Sequence, residues 1–170
     1  MFELFSNRPH ENGRQPSLPA VIVAFFCLPA APTECHNSAV ARLLLIDDDQ
    51  AVSVTLARML EFCGHDVTRI DSAEAGLKQA LASPPDALIL DMKMPGMDGL
   101  EFMKHLRASP ELKSVPVGVI TGDYFLGDTV LQELSNLQAT VRYKPIRMED
   151  LAALTDHLLG RGGTPAEPAR

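Results

Sequence analysis

Three adjacent carboxylates, Asp47, Asp48 and Asp49, directly follow the apolar run "RLLLI" at 42–46. Like charges side by side repel, so the triplet needs either water around it or a cation against it. Three more chemically capable positions follow apolar runs in the same way. Asp91 comes after "ALIL" (87–90), Thr121 and Gly122 after "VPVGVI" (115–120), and Lys144 and Pro145 after "ATVRY" (139–143). Brought to one point, they would gather acidic oxygens, a hydroxyl and an ammonium, the composition of a site that holds a hard divalent cation and an anion together. Magnesium takes about six oxygen ligands and keeps several waters, so two or three carboxylates and a backbone carbonyl suffice. A phosphoryl group on Asp91 would set three anionic oxygens beside the metal, with Lys144 and Thr121 as donors to them and the small Gly122 leaving room. The cation would then offset the repulsion within the triplet.

Such convergence requires a particular set of elements. "RLLLI" and "ALIL" are short continuous apolar runs, as buried strands are. Val52, Leu56, Met59 and Leu60 recur at helical spacing, with Gly64 as a stop and Cys63 packed near the helix end. "DVTRI" (66–70) alternates as a strand. Asp71 with Glu74 reads as a capping box for a helix through about Ala82, broken by Pro84 and Pro85. "LEFMKHLRAS" reads as a helix with Leu100, Met103 and Leu106 on one face. "VPVGVI" is strand-like, "DTVLQELSNL" helical and "ATVRY" a strand. A last helix carries Leu151, Leu154 and Leu158 on one face and ends at Gly160. Strands alternating with helices five times predict an α/β fold, a doubly wound parallel sheet between two helix layers. The default is a flavodoxin-like (βα)5 arrangement with strand order 2-1-3-4-5. In such folds ligands bind beyond the carboxyl ends of the strands, where all the positions above fall.

Composition removes several function classes. The 170 residues carry a net charge of −7, with 46% hydrophobic and 22% charged residues, so the chain is globular and poorly suited to non-specific nucleic-acid binding. Aromatic residues make up 5% and tryptophan is absent, leaving little for base stacking. Three unpatterned cysteines (Cys27, Cys35, Cys63) and five histidines without ligand spacing point to a reducing compartment and no thiolate or imidazole metal site. Residues 1–39 read as a disordered extension, or as translated sequence ahead of the true start. The competing reading, a signal-peptide core at "AVIVAFFCL" (20–28), is disfavoured by the chemistry argued below; the run is too short for a membrane span of about 20 residues. Residues 40–160 form the expected domain, and 161–170 a flexible tail.

"LLLIDDD", "ALILDMKMPGMDGLEF", "VPVGVITG" and "YKPI" together resemble the receiver domain of two-component response regulators over about residues 41–159. The resemblance implies that Asp91 accepts a phosphoryl group from a histidine kinase or histidine phosphotransfer protein. It implies magnesium held by Asp47, Asp48, Asp91 and the backbone carbonyl of Lys93. Thr121 becomes the switch hydroxyl and Lys144 the phosphate-binding lysine, with a cis Lys144–Pro145 bond. A kinase donor implies a cytoplasmic, non-membrane protein, which is why an exported chain is disfavoured. Three departures stand out. Val141 occupies the position of the family's switch aromatic, and Tyr143 does not replace it by position. This is similar to receivers of hybrid sensor kinases and sets a phosphorelay role beside a switching one. No DNA-binding or other output domain is expected after the last helix, leaving an unknown downstream protein as target. Lys93 and Asp123, each two residues beyond a site residue, are spaced to pair across the site.

Simpler roles fit the remaining residues. Asp49 reads as a helix N-cap, Met92, Met94 and Met97 as packing, His65 and His105 as surface, and Asp123, Tyr124 and Asp128 as loop residues. A receiver-like adaptor that is never phosphorylated is one alternative. An aspartate-nucleophile phosphohydrolase of the haloacid dehalogenase type is another, but would want an acid at position 93. A flavin protein of the same fold would need a phosphate cradle, which three aspartates oppose.

Overall fold

The computed structural model describes residues 39–161. Except for Ala39 and Arg161, the expected N-terminal extension and C-terminal tail lie outside them, as do Cys27 and Cys35. The elements run β1 (Arg42–Ile46), α1 (Gln50–Phe62), β2 (Asp66–Ile70), α2 (Ala73–Ala82), β3 (Ala87–Leu90), α3 (Gly99–Ala108), β4 (Val117–Thr121), α4 (Asp128–Asn136), β5 (Ala139–Tyr143) and α5 (Met148–Leu158). The five strands form one parallel sheet in the order β2-β1-β3-β4-β5, as the alternation predicts. No described helix is long and apolar enough to cross a membrane.

The continuous apolar runs make sense once both faces of the sheet are covered. Successive side chains of a strand point to opposite faces. Leu44 and Ile46 of β1, with Leu88 and Leu90 of β3, pack with Phe102, Met103 and Leu106 of α3. Leu43 and Leu45, with Ala87 and Ile89, pack with Leu56 and Leu60 of α1 and Leu151 and Leu154 of α5. Every residue of β3 and β4 is buried, whereas the edge strand β2 keeps three of its five residues exposed. That contrast is why β2 alternates in sequence and β3 does not.

Local signals set most helix ends. Asp49 caps α1, accepting from the Ala51 and Val52 N–H groups at 2.9 and 3.1 Å. Gly64 follows the α1 cap Cys63 with φ of +88°, a left-handed conformation that costs glycine little. The capping box expected at Asp71 does not form. Ser72 is the N-cap of α2, one residue later and without a side-chain bond, while Glu74 lies against the turn at Gly96. The buried stripe of α3 also differs from expectation. Phe102 is fully buried and Leu100 only half-buried, because α3 packs between α2 and α4 rather than on the sheet alone.

His65 is buried, not on the surface. The chain turns at Gly64 and brings the imidazole toward the end of α5, near Asp156 and Arg161, where Nδ1 has no hydrogen-bond partner. Burial, aided by the Arg161 charge and opposed by Asp156, holds its pKa below the ordinary value. The unfolded chain therefore binds a proton more readily than the folded one, so stability must fall as pH drops below about 6.5. Urea midpoints measured between pH 7.5 and 5.5 should fall further in the wild type than in His65→Leu. Equal slopes would show that His65 does not titrate on unfolding.

Candidate functional site

β1 and β3 are neighbours in register, Ile46 opposite Leu90, so the residues that follow them, Asp47 and Asp91, emerge side by side. Both are held at the backbone: Asp47 N–H donates to the Ile70 carbonyl at 3.1 Å and Asp91 N–H to the Ile46 carbonyl at 2.9 Å. Their side chains are only 2% and 8% exposed. Lys144 follows β5, two strands from β3, a separation of roughly 10 Å at ordinary strand spacing. A long side chain can bridge that gap. The ammonium arrives 2.6 Å from Asp91 Oδ1 and 2.7 Å from Asp47 Oδ2.

Each carboxylate is also fixed from its other side. Asp47 Oδ1 accepts the Asp49 N–H at 2.9 Å, and Asp91 Oδ2 accepts the Lys93 N–H at 2.5 Å. Burial pushes the Asp47 carboxyl up, against the pull of Lys144 and the Asp49 amide, and the Asp91 charge adds to the rise. Burial pulls the Lys144 ammonium down, but its bonds and charge attraction to Asp47 and Asp91 win and hold its pKa above the ordinary value. Lys144 is therefore a cation at neutral pH. Thr121, buried at the end of β4, accepts the Lys144 N–H on its carbonyl (2.7 Å) and the Asp123 N–H on Oγ1 (3.1 Å). Its hydroxyl proton remains available to donate. The Lys144–Pro145 bond is cis.

The remaining expected residues stand further out. Asp48 is exposed and lines a depression of about 540 Å³ with Lys93, Met94, Pro95 and Leu126. A second depression of about 520 Å³ runs between α1 and the chain after β5, lined by Val52, Met59, Lys144 and Ile146. For Lys93, the contact with Asp91 is through its amide, and its ammonium pairs with Asp123 Oδ2 at 3.0 Å, the pairing the spacing suggested. That pair and the Phe125 amide hold the Asp123 carboxyl below its ordinary pKa. Among the described residues no three His, Cys, Asp or Glu side chains gather into a group that could hold a metal. Asp47 and Asp91 close on the ammonium while Asp48 stays outside. The donor chemistry nonetheless suits magnesium, since Asp48 and Asp91 offer hard carboxylate oxygens and Asp48 borders open space for bound water.

Sequence reasoning missed one pairing. Tyr124 and Tyr143, taken for unrelated residues, stack with ring centroids 5.3 Å apart and planes at 12°. Thr121 lies opposite Tyr143 in the β4–β5 register, so the strand order itself brings the two rings near each other.

The family model described as the response regulator receiver domain matches residues 43–155. Response regulator MprA of Mycobacterium leprae is 35% identical over 123 residues, 71% of this chain and 51% of that protein. The chain thus spans about half the length of the curated relatives it matches. A putative response regulator from Chloroflexus aurantiacus, solved by crystallography, superposes with a TM-score of 0.66 at 30% identity, covering 72% of this chain and 100% of its own. Chemotaxis protein CheY4 of Vibrio cholerae gives a TM-score of 0.66 at 27% identity, over 71% and 100%.

Replacing Lys144 by Met should leave Asp47 and Asp91 covered without their cation. The expected loss in a chelator-containing buffer is about 2–3 kcal/mol, less than for a deeply buried pair because the ammonium keeps some contact with water. An unchanged urea midpoint would mean that the bridge contributes nothing to stability.

Proposed function

The chain belongs to the response regulator receiver domain family, and on that premise we propose that Asp91 accepts a phosphoryl group from a phosphohistidine donor in a magnesium-dependent reaction. The observation that carries this reading is the Lys144 ammonium, 2.6 Å from the acceptor carboxylate and 2.7 Å from Asp47 in a nearly buried cluster. A cation held there can turn to the transferred oxygens once Asp91 carries the phosphoryl group. In the transfer, an Asp91 oxygen bonds to phosphorus as the P–N bond of the donor imidazole breaks, and that bond's electron pair stays on nitrogen. Thr121 donates its hydroxyl proton to a second phosphoryl oxygen. Magnesium would be held by Asp47, Asp48, Asp91 and the backbone carbonyl of Lys93, and would neutralise charge on the transferred oxygens.

The donor on this reading is a histidine kinase or a histidine phosphotransfer protein, which places the chain in the cytoplasm. The domain that does this runs from 40 to 160. Its output is a change in protein–protein contacts, through Thr121 drawing on the loop from Gly122 to Asp128, or passage of the phosphoryl group along a relay. It is a signalling module with self-catalysed phosphotransfer rather than a turnover enzyme. The phosphohydrolase alternative is further weakened because position 93 carries an ammonium committed to Asp123.

The acceptor is tested by mass. Wild type incubated with acetyl phosphate and magnesium should gain one phosphoryl group, and Asp91→Asn should gain none. Equal gain in the variant would move the acceptor elsewhere. The metal is tested separately. Asp48→Ala should lose magnesium binding by at least about tenfold, because few protein ligands hold it. Calorimetry showing unchanged affinity would remove Asp48 from the site.

A further inference from the structure

The loop leaving β4 and the lysine leaving β5 are tied in a closed circuit. Lys144 N–H donates to the Thr121 carbonyl at 2.7 Å. The Asp123 N–H donates to Thr121 Oγ1 at 3.1 Å. The Tyr124 hydroxyl donates to the Lys144 carbonyl, and the Tyr124 ring lies on Tyr143. Inside the circuit Asp123 stiffens the loop, taking the Phe125 N–H on Oδ1 at 3.0 Å and Lys93 on Oδ2 at 3.0 Å. Residue 141 offers no comparable link, being a half-buried valine packed against the hydrophobic core.

We propose that the Tyr124–Tyr143 stack, with the Tyr124–Lys144 hydrogen bond, clamps the β4–α4 loop in its unphosphorylated position, and that phosphoryl capture by Thr121 opens the clamp. The proposal rests on Asp91 being a phosphoacceptor. To donate to a phosphoryl oxygen, the Thr121 hydroxyl moves toward Asp91. The Asp123 amide follows, because it is bonded to that same oxygen. Tyr124 is the next residue, and it is drawn away from a Lys144 carbonyl that cannot follow. Lys144 is anchored at its amide by the strand ladder and at its ammonium by the site. The clamp is weak enough to yield, since the Tyr124 ring is 60% exposed and depends on one stack and one hydrogen bond. Its contacts exist in one state and not in the other, which is the condition for a ligand to shift the balance between them. Phe125, 94% exposed at the loop's tip, moves with it, so the change reaches the surface.

The chain has two tyrosines and no tryptophan, so tyrosine signals report on these two rings alone. The full chain, ring-labelled at tyrosine, is titrated by NMR with beryllofluoride in magnesium, while phosphoryl uptake from acetyl phosphate is followed by mass. Both ring signals should shift in step with saturation. Tyr124→Phe, which keeps the ring and drops the hydroxyl, should saturate at about two- to tenfold lower beryllofluoride, because one resting-state hydrogen bond is gone. Tyr143→Leu, which removes the stack and keeps the hydroxyl, should shift the midpoint in the same direction. Rings that stay unmoved in a saturated wild type would overturn the clamp alone. So would variants that melt earlier with an unchanged beryllofluoride midpoint, since their role would be structural only. A wild type that neither binds beryllofluoride nor gains mass would overturn the phosphoacceptor reading and the clamp with it.

Discussion

Asp47 and Asp91 share one ammonium, and the rest of the molecule is arranged around that contact. Two carboxylates just under the surface repel each other and lose hydration, so they persist only with a cation between them. Lys144 supplies it at 2.6 and 2.7 Å. The contact joins residues 53 and 97 positions apart in the chain, so it exists only once the sheet has its order. It also orients the Asp91 carboxylate, with Lys144 on one oxygen and the Lys93 amide on the other.

The two sides of this contact are built differently. On the α3 side the backbone is drawn tight. Gly99 N–H bonds to the Met92 carbonyl at 2.9 Å, and a β-carbon at Gly99 would stand 2.8 Å from the Asp91 carbonyl oxygen. Only glycine allows α3 to begin so close to Asp91. Asp98 then caps α3 by accepting the Glu101 N–H at 2.8 Å. The β4–α4 side is held by side chains at the surface, and a β-carbon at Gly122 would meet nothing within 4 Å. A rigid wall carries Asp91, and a lightly held loop faces it. An added charge at Asp91 therefore has a direction in which the structure can give, through Thr121 rather than through Met92.

The layers explain why such a small site can be stable. The two helix layers bury both faces of β1, β3 and β4, and this burial is the main favourable contribution to folding. The charged cluster sits at the carboxyl ends of those strands, where chain leaves the core and polar atoms meet water.

The strands and helices were legible in the sequence, because each is written in a local period: continuous apolar runs for β1, β3 and β4, and helical spacing for α1, α3 and α5. The polar positions 47, 91, 121 and 144 were legible too, since a residue following a buried run must fall at a strand's end. Asp49 as a cap follows from its own place before α1. What tertiary structure decided are contacts between elements that no local period encodes. His65 follows a helix stop and looks exposed, yet it is buried within the influence of Asp156 and Arg161. Phe102 is buried because α3 meets two neighbouring helices. Tyr124 and Tyr143 are unremarkable in sequence and become partners only because β5 lies beside β4. A sequence fixes which face of an element is apolar, but which other element meets that face depends on strand order and on the packing of helices above the sheet.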